Sequence, residues 1–172
     1  MNRQLRQLLL IGNVIEMSIL LKIRKMLDNA KIEYQHVSHK PVRTSEQAAE
    51  IRGEPLSIGG KALVVKIGDG FRLFALSAAL RLNSEAVRKR FNSRRMRFAS
   101  VSELLDLTGL VPGSVPPFGK PILRLSLCID LSLLTNERIA FNAGSLTDSL
   151  IMQTADYLTV AKGEIFRFAE ER

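Results

Sequence analysis

The chain has 172 residues, 46% of them hydrophobic, which is enough apolar material for one core in a domain of ordinary size. Its formal charge of +8 favours a polyanionic partner, because each phosphate neutralised releases counterions and strengthens binding. No run approaches the ~18 apolar residues that span a bilayer, and residues 8–12 are short for a signal-peptide core, so a cytoplasmic protein without a membrane partner is expected.

Ile19, Leu20, Ile23, Met26, Leu27 and Ala30 recur at helical spacing, with Ser18 placed as a cap, so the packed domain is taken as residues 17–172. Residues 1–16 then form an N-terminal extension, an extra helix or a tail, and Met17 is an alternative start. A short strand is predicted at 33–37. Thr44 with Gln47 fits a capping box that opens a helix, and Gly53 fits its end. Strands at 61–67 and 71–77 flank Gly68-Asp69-Gly70, a hairpin signal. Helices at 83–91 and 102–107 flank a strand at 96–99. Later strands are predicted at 122–129 and 138–142, and a last helix at 154–162 is stopped by Gly163. The single cysteine, Cys128, excludes an internal disulfide and sits within an apolar run, where it reads as a buried strand thiol; redox chemistry and structural zinc lose support. Strands interleaved with short helices favour a single α+β domain with a mixed sheet over a wholly parallel one.

Four features offer chemistry. The stretch from Gly109 to Gly119 holds three glycines and three prolines in eleven residues. Prolines stiffen such a loop and remove donors, while glycines let backbone approach a ligand, so the remaining amides can be aimed at an oxygen; an ordinary turn has the same composition. Lys61 opens an apolar strand after Gly59 and Gly60, where its ammonium could face a cleft, and Lys66 on the same strand is an equal candidate by sequence. His36 and His39 invite a metal or general-base reading, but no second Cys or His cluster supports a metal site. Between 81 and 97, seven basic residues stand against Glu85 alone. A solvated helix face explains such a run, and so does a phosphate-contacting surface built from Arg88, Lys89, Arg90, Arg94 and Arg95.

Together, Thr44-Ser-Glu-Gln-Ala-Ala49, Gly60-Lys-Ala-Leu-Val-Val65, Gly113-Ser-Val-Pro-Pro-Phe-Gly119 and Phe141-Asn-Ala-Gly144 resemble the YbaK/prolyl-tRNA-synthetase-associated editing family of aminoacyl-tRNA deacylases. The resemblance runs from about Met17 to the C-terminus. It implies an α+β fold with a curved mixed, largely antiparallel sheet flanked by short helices, and a cleft that takes the 3′ end of mischarged tRNA. It also implies that Lys61 is the functional lysine, that Gly113 to Pro117 reproduces the family's Gly-x-x-x-Pro loop, and that no cofactor or metal is needed. Some members carry a histidine shortly after the glycine matching Gly144, whereas this chain has Ser145, Leu146 and Thr147, so a mechanism relying on that histidine is not expected.

On this basis the expected catalytic residues are Lys61, Gly113, Ser114 and Val115, with substrate contacts from Thr44, Pro117, Phe118, Gly119, Gly144 and Ser145. The expected substrate is a small amino acid on tRNA, including tRNA for proline, with an aminoacyl-tRNA synthetase as a further partner and no role for DNA. A non-catalytic RNA-binding module or a synthetase-associated paralogue is the alternative; 6% aromatic content without tryptophan provides a poor base-stacking platform for the first of these.

Overall fold

The computed structural model describes residues 17–172, so the predicted extension at 1–16 lies outside the described residues. Helix α1 (Ile19–Asn29) starts at Ser18, whose Oγ accepts a hydrogen bond from the Leu21 amide, and it buries Ile23 and Leu27. Strand β1 (Tyr34–Ser38) follows. Helix α2 (Ser45–Arg52) opens with the predicted reciprocal bonds between Thr44 and Gln47 and ends at Gly53, whose φ is +66°. A single 3-10 turn (Leu56–Ile58) leads into β2 (Gly60–Ile67) and β3 (Gly70–Ser77), an antiparallel hairpin whose register runs from Gly60↔Ser77 to Ile67↔Gly70.

The chain continues through β4 (Arg81–Leu82), α3 (Ser84–Arg90), β5 (Met96–Phe98), α4 (Val101–Thr108), β6 (Ser126–Asp130) and α5 (Leu131–Leu134). It ends with β7 (Arg138–Asn142), β8 (Asp148–Gln153), α6 (Thr154–Ala161), β9 (Glu164–Phe166) and β10 (Ala169–Glu170).

One set of strands has the order β5-β2-β3-β6-β9, a second is β1-β8-β7, and β10 pairs with β4. Only the β3/β6 and β6/β9 pairs are parallel, so the sheet system is mixed and largely antiparallel as expected. An isolated parallel bridge between Gly59 and Ala140 ties the first set to the second at the start of β2. That bridge positions the candidate site. It brings β2 against the end of β7, and the approach is close: a Cβ on Gly60 would lie 2.7 Å from Ile139 Cδ1.

Strands β2, β3 and β6 are covered on both faces, which explains their nearly unbroken apolar runs. Val64, Leu73, Ala75, Leu127 and Ile129 point into the larger core with Ile23, Leu27 and Tyr157. The alternate residues Val65, Phe74, Leu76 and Cys128 point into a second core with Val87 and Phe168. Cys128 is fully buried, and burial pushes its thiol up to about 11, far from the thiolate a nucleophile would need.

The expectation for 122–129 needs correction, because the strand occupies only Ser126–Asp130. Ile122 and Leu123 donate their amides to the Gly119 carbonyl at 2.9 and 3.0 Å, forming a turn whose side chains are buried. The apolar run there reflects burial, not extension. Helix α6 is closed by Lys162 in the left-handed region at φ +47°, one residue before the predicted Gly163 stop.

Candidate functional site

The start of β2, one side of α2 with its cap, the loop around Gly113 and the end of β7 enclose a cleft of about 220 Å3. Its wall includes Thr44, Ala49, Lys61, Gly113, Val115 and Asn142. Predicted positions from three separate segments therefore meet in one place. Thr44 is fixed there by its capping role, since its Oγ1 accepts from the Gln47 amide at 3.2 Å.

Lys61 is half-buried on the cleft wall, and its Nζ donates to the Leu80 carbonyl at 2.6 Å. Burial, helped by the nearby Arg172 charge and opposed by Glu46, lowers its pKa from the ordinary lysine value. An ammonium has three protons to donate, so two remain for another acceptor. Lys66 has a different setting at the far end of the strand, over the Phe71 ring at 5.3 Å and opposite Arg97. The structure thereby separates two lysines that the sequence left equal.

The Gly113 loop is anchored on its core side. Tyr157 donates its hydroxyl proton to the Pro117 carbonyl at 2.7 Å, and Phe118 packs edge-to-face on Phe141 and Tyr157 with centroids 5.3 Å away from each. Such aromatic pairs contribute roughly 1 kcal/mol each beyond their buried area. Gly119 also faces the core, where a Cβ would meet the Leu125 carbonyl oxygen at 2.6 Å. Pro117, Phe118 and Gly119 thus hold the loop from behind and are absent from the cleft wall.

On the cleft side, Gly113 has φ +89°, and a Cβ there would lie 3.0 Å from the Arg43 carbonyl oxygen. Ser114 is buried and turned inward: its Oγ donates to the Val111 carbonyl at 2.8 Å and its amide bonds the same oxygen. Its hydroxyl and amide are therefore committed to the turn. The amides of Gly113 and Val115, both on the cleft, have no protein acceptor among the described residues. Both amides are free to meet an oxygen atom there.

Gly144 lies outside the cleft. Its amide donates to the Ser114 carbonyl at 3.0 Å, and with φ +80° it sits so close to α1 that a Cβ would approach Ile19 Cβ at 2.5 Å. Ser145 belongs to a separate polar cluster with Thr147 and Asp148. Burial opposes ionisation of Asp148, but hydrogen bonds from His36, Ser145 and Thr147 outweigh it and hold the carboxyl below its ordinary value. His36 is committed to that carboxylate at 2.8 Å, whereas His39 contacts Ser149 and the Lys40 carbonyl. The two histidines therefore face different partners.

Arg88, Lys89, Arg94 and Arg95 are exposed. Arg90 instead pairs with Glu164 and stacks over Phe166 at 5.3 Å, while Arg95 only approaches Asp69 at 3.8 Å.

Sequence reading missed Arg43, Arg52 and the side chain of Asn142. Arg52, in the last turn of α2, lies on the cleft with its Nε on Ser149 Oγ at 2.9 Å and its Nη2 on Asn142 Oδ1 at 2.6 Å. Burial pushes its guanidinium down to about 10, with Glu54 opposing. An arginine before a helix-ending glycine is too common to stand out in a sequence. Asn142 lay within the motif at 141–144, and the end of a polar-tipped strand was its only signal.

The model of the aminoacyl-tRNA editing domain family matches residues 39–160. The chain is 37% identical over 149 residues to the multifunctional Ser/Thr-tRNA deacylase ProXp-y of Escherichia coli K12, covering 83% of this chain and 88% of that one. It is 25% identical over 151 residues to the prolyl-tRNA editing protein ProX of Acetoanaerobium sticklandii, covering 84% and 92%. Among solved structures, a candidate trans-editing enzyme for prolyl-tRNA synthetase superposes with a TM-score of 0.75 at 21% identity, over 90% of this chain and 98% of that one. A hypothetical protein of known structure gives 0.78 at 22%, over 87% and 99%. At these identities the structures speak to the fold, which they share with this chain. The family match and the ProXp-y relative settle the affiliation: the chain belongs to the aminoacyl-tRNA editing domain family.

Proposed function

We propose that this protein is a trans-editing deacylase that hydrolyses the ester joining a small amino acid to the terminal ribose of mischarged tRNA. The observation that carries this reading is the cleft itself, where a half-buried lysine and two unpaired loop amides line one small cavity. An aminoacyl ester is intrinsically reactive, so orienting a water and stabilising the oxyanion are enough for catalysis, and no covalent nucleophile is required. The Gly113 and Val115 amides receive the acyl carbonyl as it develops negative charge. Lys61 holds the terminal adenosine or its phosphate, and a hydroxyl of the substrate helps place the water. The alanines at 48, 49, 62 and 140 along the wall suit a small acyl side chain.

The name of the ProXp-y relative makes seryl- and threonyl-tRNA the first substrates to try, with alanyl and other small aminoacyl esters on tRNA for proline next. Mischarged tRNA is a synthetase product, so an aminoacyl-tRNA synthetase is the proposed source and partner, and the cytoplasm the proposed site of action. The test is incubation with a panel of mischarged tRNAs. Release of free amino acid from one or more small aminoacyl esters is expected; binding of tRNA with every ester left intact would make the protein a non-catalytic paralogue.

A further inference from the structure

Beside the Gly113 loop, four side chains from separate segments are linked by hydrogen bonds to one another and to that loop. Asn142 Nδ2 donates to the Gly113 carbonyl at 2.8 Å, and Asn142 Oδ1 accepts from Arg52 Nη2 at 2.6 Å. Arg52 Nε donates to Ser149 Oγ at 2.9 Å, and Ser149 Oγ lies 2.7 Å from His39 Nε2. The ring's other nitrogen, Nδ1, lies 2.8 Å from the Lys40 carbonyl oxygen. Ser149 and Asn142 face each other across the β7/β8 ladder, and Ser149 is fully buried.

Elementary donor and acceptor rules fix the Arg52 and Asn142 links outright, and with a neutral His39 ring they fix the others. A guanidinium only donates, so Asn142 must turn its oxygen to Arg52, which leaves its amide protons for Gly113. A carbonyl only accepts, so Nδ1 of His39 carries a proton, and a neutral ring then has Nε2 as an acceptor. With that ring the single hydroxyl proton of Ser149 goes to His39 at 2.7 Å in preference to Asn142 Oδ1 at 3.1 Å, which leaves Asn142 Oδ1 to Arg52. The chain thus runs without conflict from Arg52 outward in both directions, through Asn142 to Gly113 and through Ser149 to His39. Arg52 forms no ion pair among the described residues, so these neutral groups are what hold it.

We propose that His39, Ser149, Arg52 and Asn142 are a positioning relay for deacylation, fixing the Gly113–Ser114 peptide through its carbonyl and so the flanking amides of Gly113 and Val115 that meet the acyl carbonyl. The inference rests on the deacylase reading above. None of the four need touch the reacting atoms; their action is through Gly113. Misplacing a reacting geometry by about 1 Å costs on the order of 100-fold in rate, and this sets the scale of the effect.

The test is steady-state deacylation by wild type, Asn142→Ala, His39→Ala and His39→Gln on the best substrate from the tRNA panel. Asn142→Ala is expected to lower kcat on the order of 100-fold with KM little changed, because the amides lose their orientation and not the binding of tRNA. His39→Ala, which removes the outermost link, is expected to lower kcat roughly tenfold. His39→Gln, which restores an acceptor for Ser149, should recover most of that loss. A purely structural role would not predict this rescue at equal thermal stability. Unchanged kcat in Asn142→Ala, a loss confined to KM, or a folded His39→Gln as slow as His39→Ala would each overturn the relay. Should Asn142→Ala fail to fold, nitrogen NMR of His39 in the wild type decides the matter: the Nδ1-protonated neutral ring supports the relay, and the Nε2-protonated or doubly protonated ring overturns it. If wild type itself releases no amino acid from any tRNA of the panel, the deacylase reading falls and the relay with it; an active wild type with indifferent variants removes the relay alone.

Discussion

The basic side chains of segment 81–97 and those of the cleft differ in their partners. In the segment, Arg81 pairs with Glu170, Arg90 with Glu164 and Arg97 with Glu103. In the cleft, Lys61 bonds a carbonyl, and Arg52 bonds a hydroxyl and an amide. The segment carries more charge by count, but much of it is spent on neighbouring carboxylates. The cleft carries two cations that burial disfavours and that form no ion pair among the described residues. An anionic ligand entering the cleft would relieve that desolvation, whereas one meeting the segment competes with carboxylates already in place. Local charge density is therefore a poor guide to where a phosphate or an oxyanion is held.

The largest effect that follows is at Lys61. Lys61→Ala is expected to lower kcat/KM on the order of 100-fold, the scale of losing one preorganised electrostatic contact, while Lys66→Ala stays near wild type in the same assay. Comparable losses in both variants would erase the distinction between cleft and surface. Linkage gives a second check on Lys61. Its folded pKa lies below 10.5, so the native state binds this proton more weakly than the unfolded chain, and burial of the charge is a stability penalty at neutral pH. That penalty is lifted as pH rises through the lowered pKa towards 10.5. Urea unfolding of wild type and Lys61→Ala should therefore show wild type gaining relative to the variant over that alkaline range. A constant difference would mean that Lys61 is not desolvated.

Gly113→Val comes next. A valine at φ +89° is strained, and its Cβ would press on the Arg43 carbonyl oxygen 3.0 Å away. Turnover should fall roughly 10- to 100-fold as the amides shift, with binding of uncharged tRNA changed much less. Normal turnover by a folded Gly113→Val protein would reduce this loop to a structural turn.

What could be read from the sequence was local. The caps at Ser18 and Thr44, the Gly68-Asp69 hairpin and the helix at 154–161 are set by side chains within a few residues of the backbone they satisfy, and each formed where its residues predicted. The turn at 119–123 was misread because buried apolar residues look alike in a turn and in a strand. In the cleft, the positions recognised were those of short motifs, Thr44, Lys61 and Gly113. Arg52, Ser149 and His39 were not legible as a group, because their link exists only once β8 pairs with both β1 and β7. Nor could a sequence tell that the hydroxyl of Ser114 would turn into its own loop.

A smaller effect is expected at the exposed end of the segment. Arg94 has no ion pair among the described residues, and Arg95 meets Asp69 only at 3.8 Å with both side chains well exposed. If these two contact phosphates outside the cleft, changing both to glutamate should weaken binding of full-length tRNA several-fold and flatten its dependence on salt. Hydrolysis of a minimal aminoacyl-adenosine should be nearly unaffected, since phosphate contacts position the nucleic acid without entering the chemistry. Neutralising Arg97, already committed to Glu103, should leave the salt slope close to wild type. An unchanged slope for the Arg94 and Arg95 double variant would assign the whole segment to solubility or folding.

The smallest effect expected is on stability, and it tests whether the segment's charges are spent as described. Arg97 forks onto Glu103 with two contacts of 2.7 Å, and Glu103 also accepts from the Ser100 amide at 2.8 Å as the second half of a capping box. Together these hold its carboxyl down at about 2, against an ordinary 4.5. A lowered folded pKa means that the native state binds this proton more weakly than the unfolded chain, so the contribution is complete above 4.5 and is lost as pH falls towards 2. Both partners are solvent-facing, so screening keeps the contribution small. Glu103→Gln should thus lower the thermal midpoint slightly at neutral pH, with the gap closing as the solution is acidified through that window. A gap that persists unchanged at low pH would show that the carboxylate charge is idle, with Glu103 acting only as a neutral cap and Arg97 left free to contact phosphate.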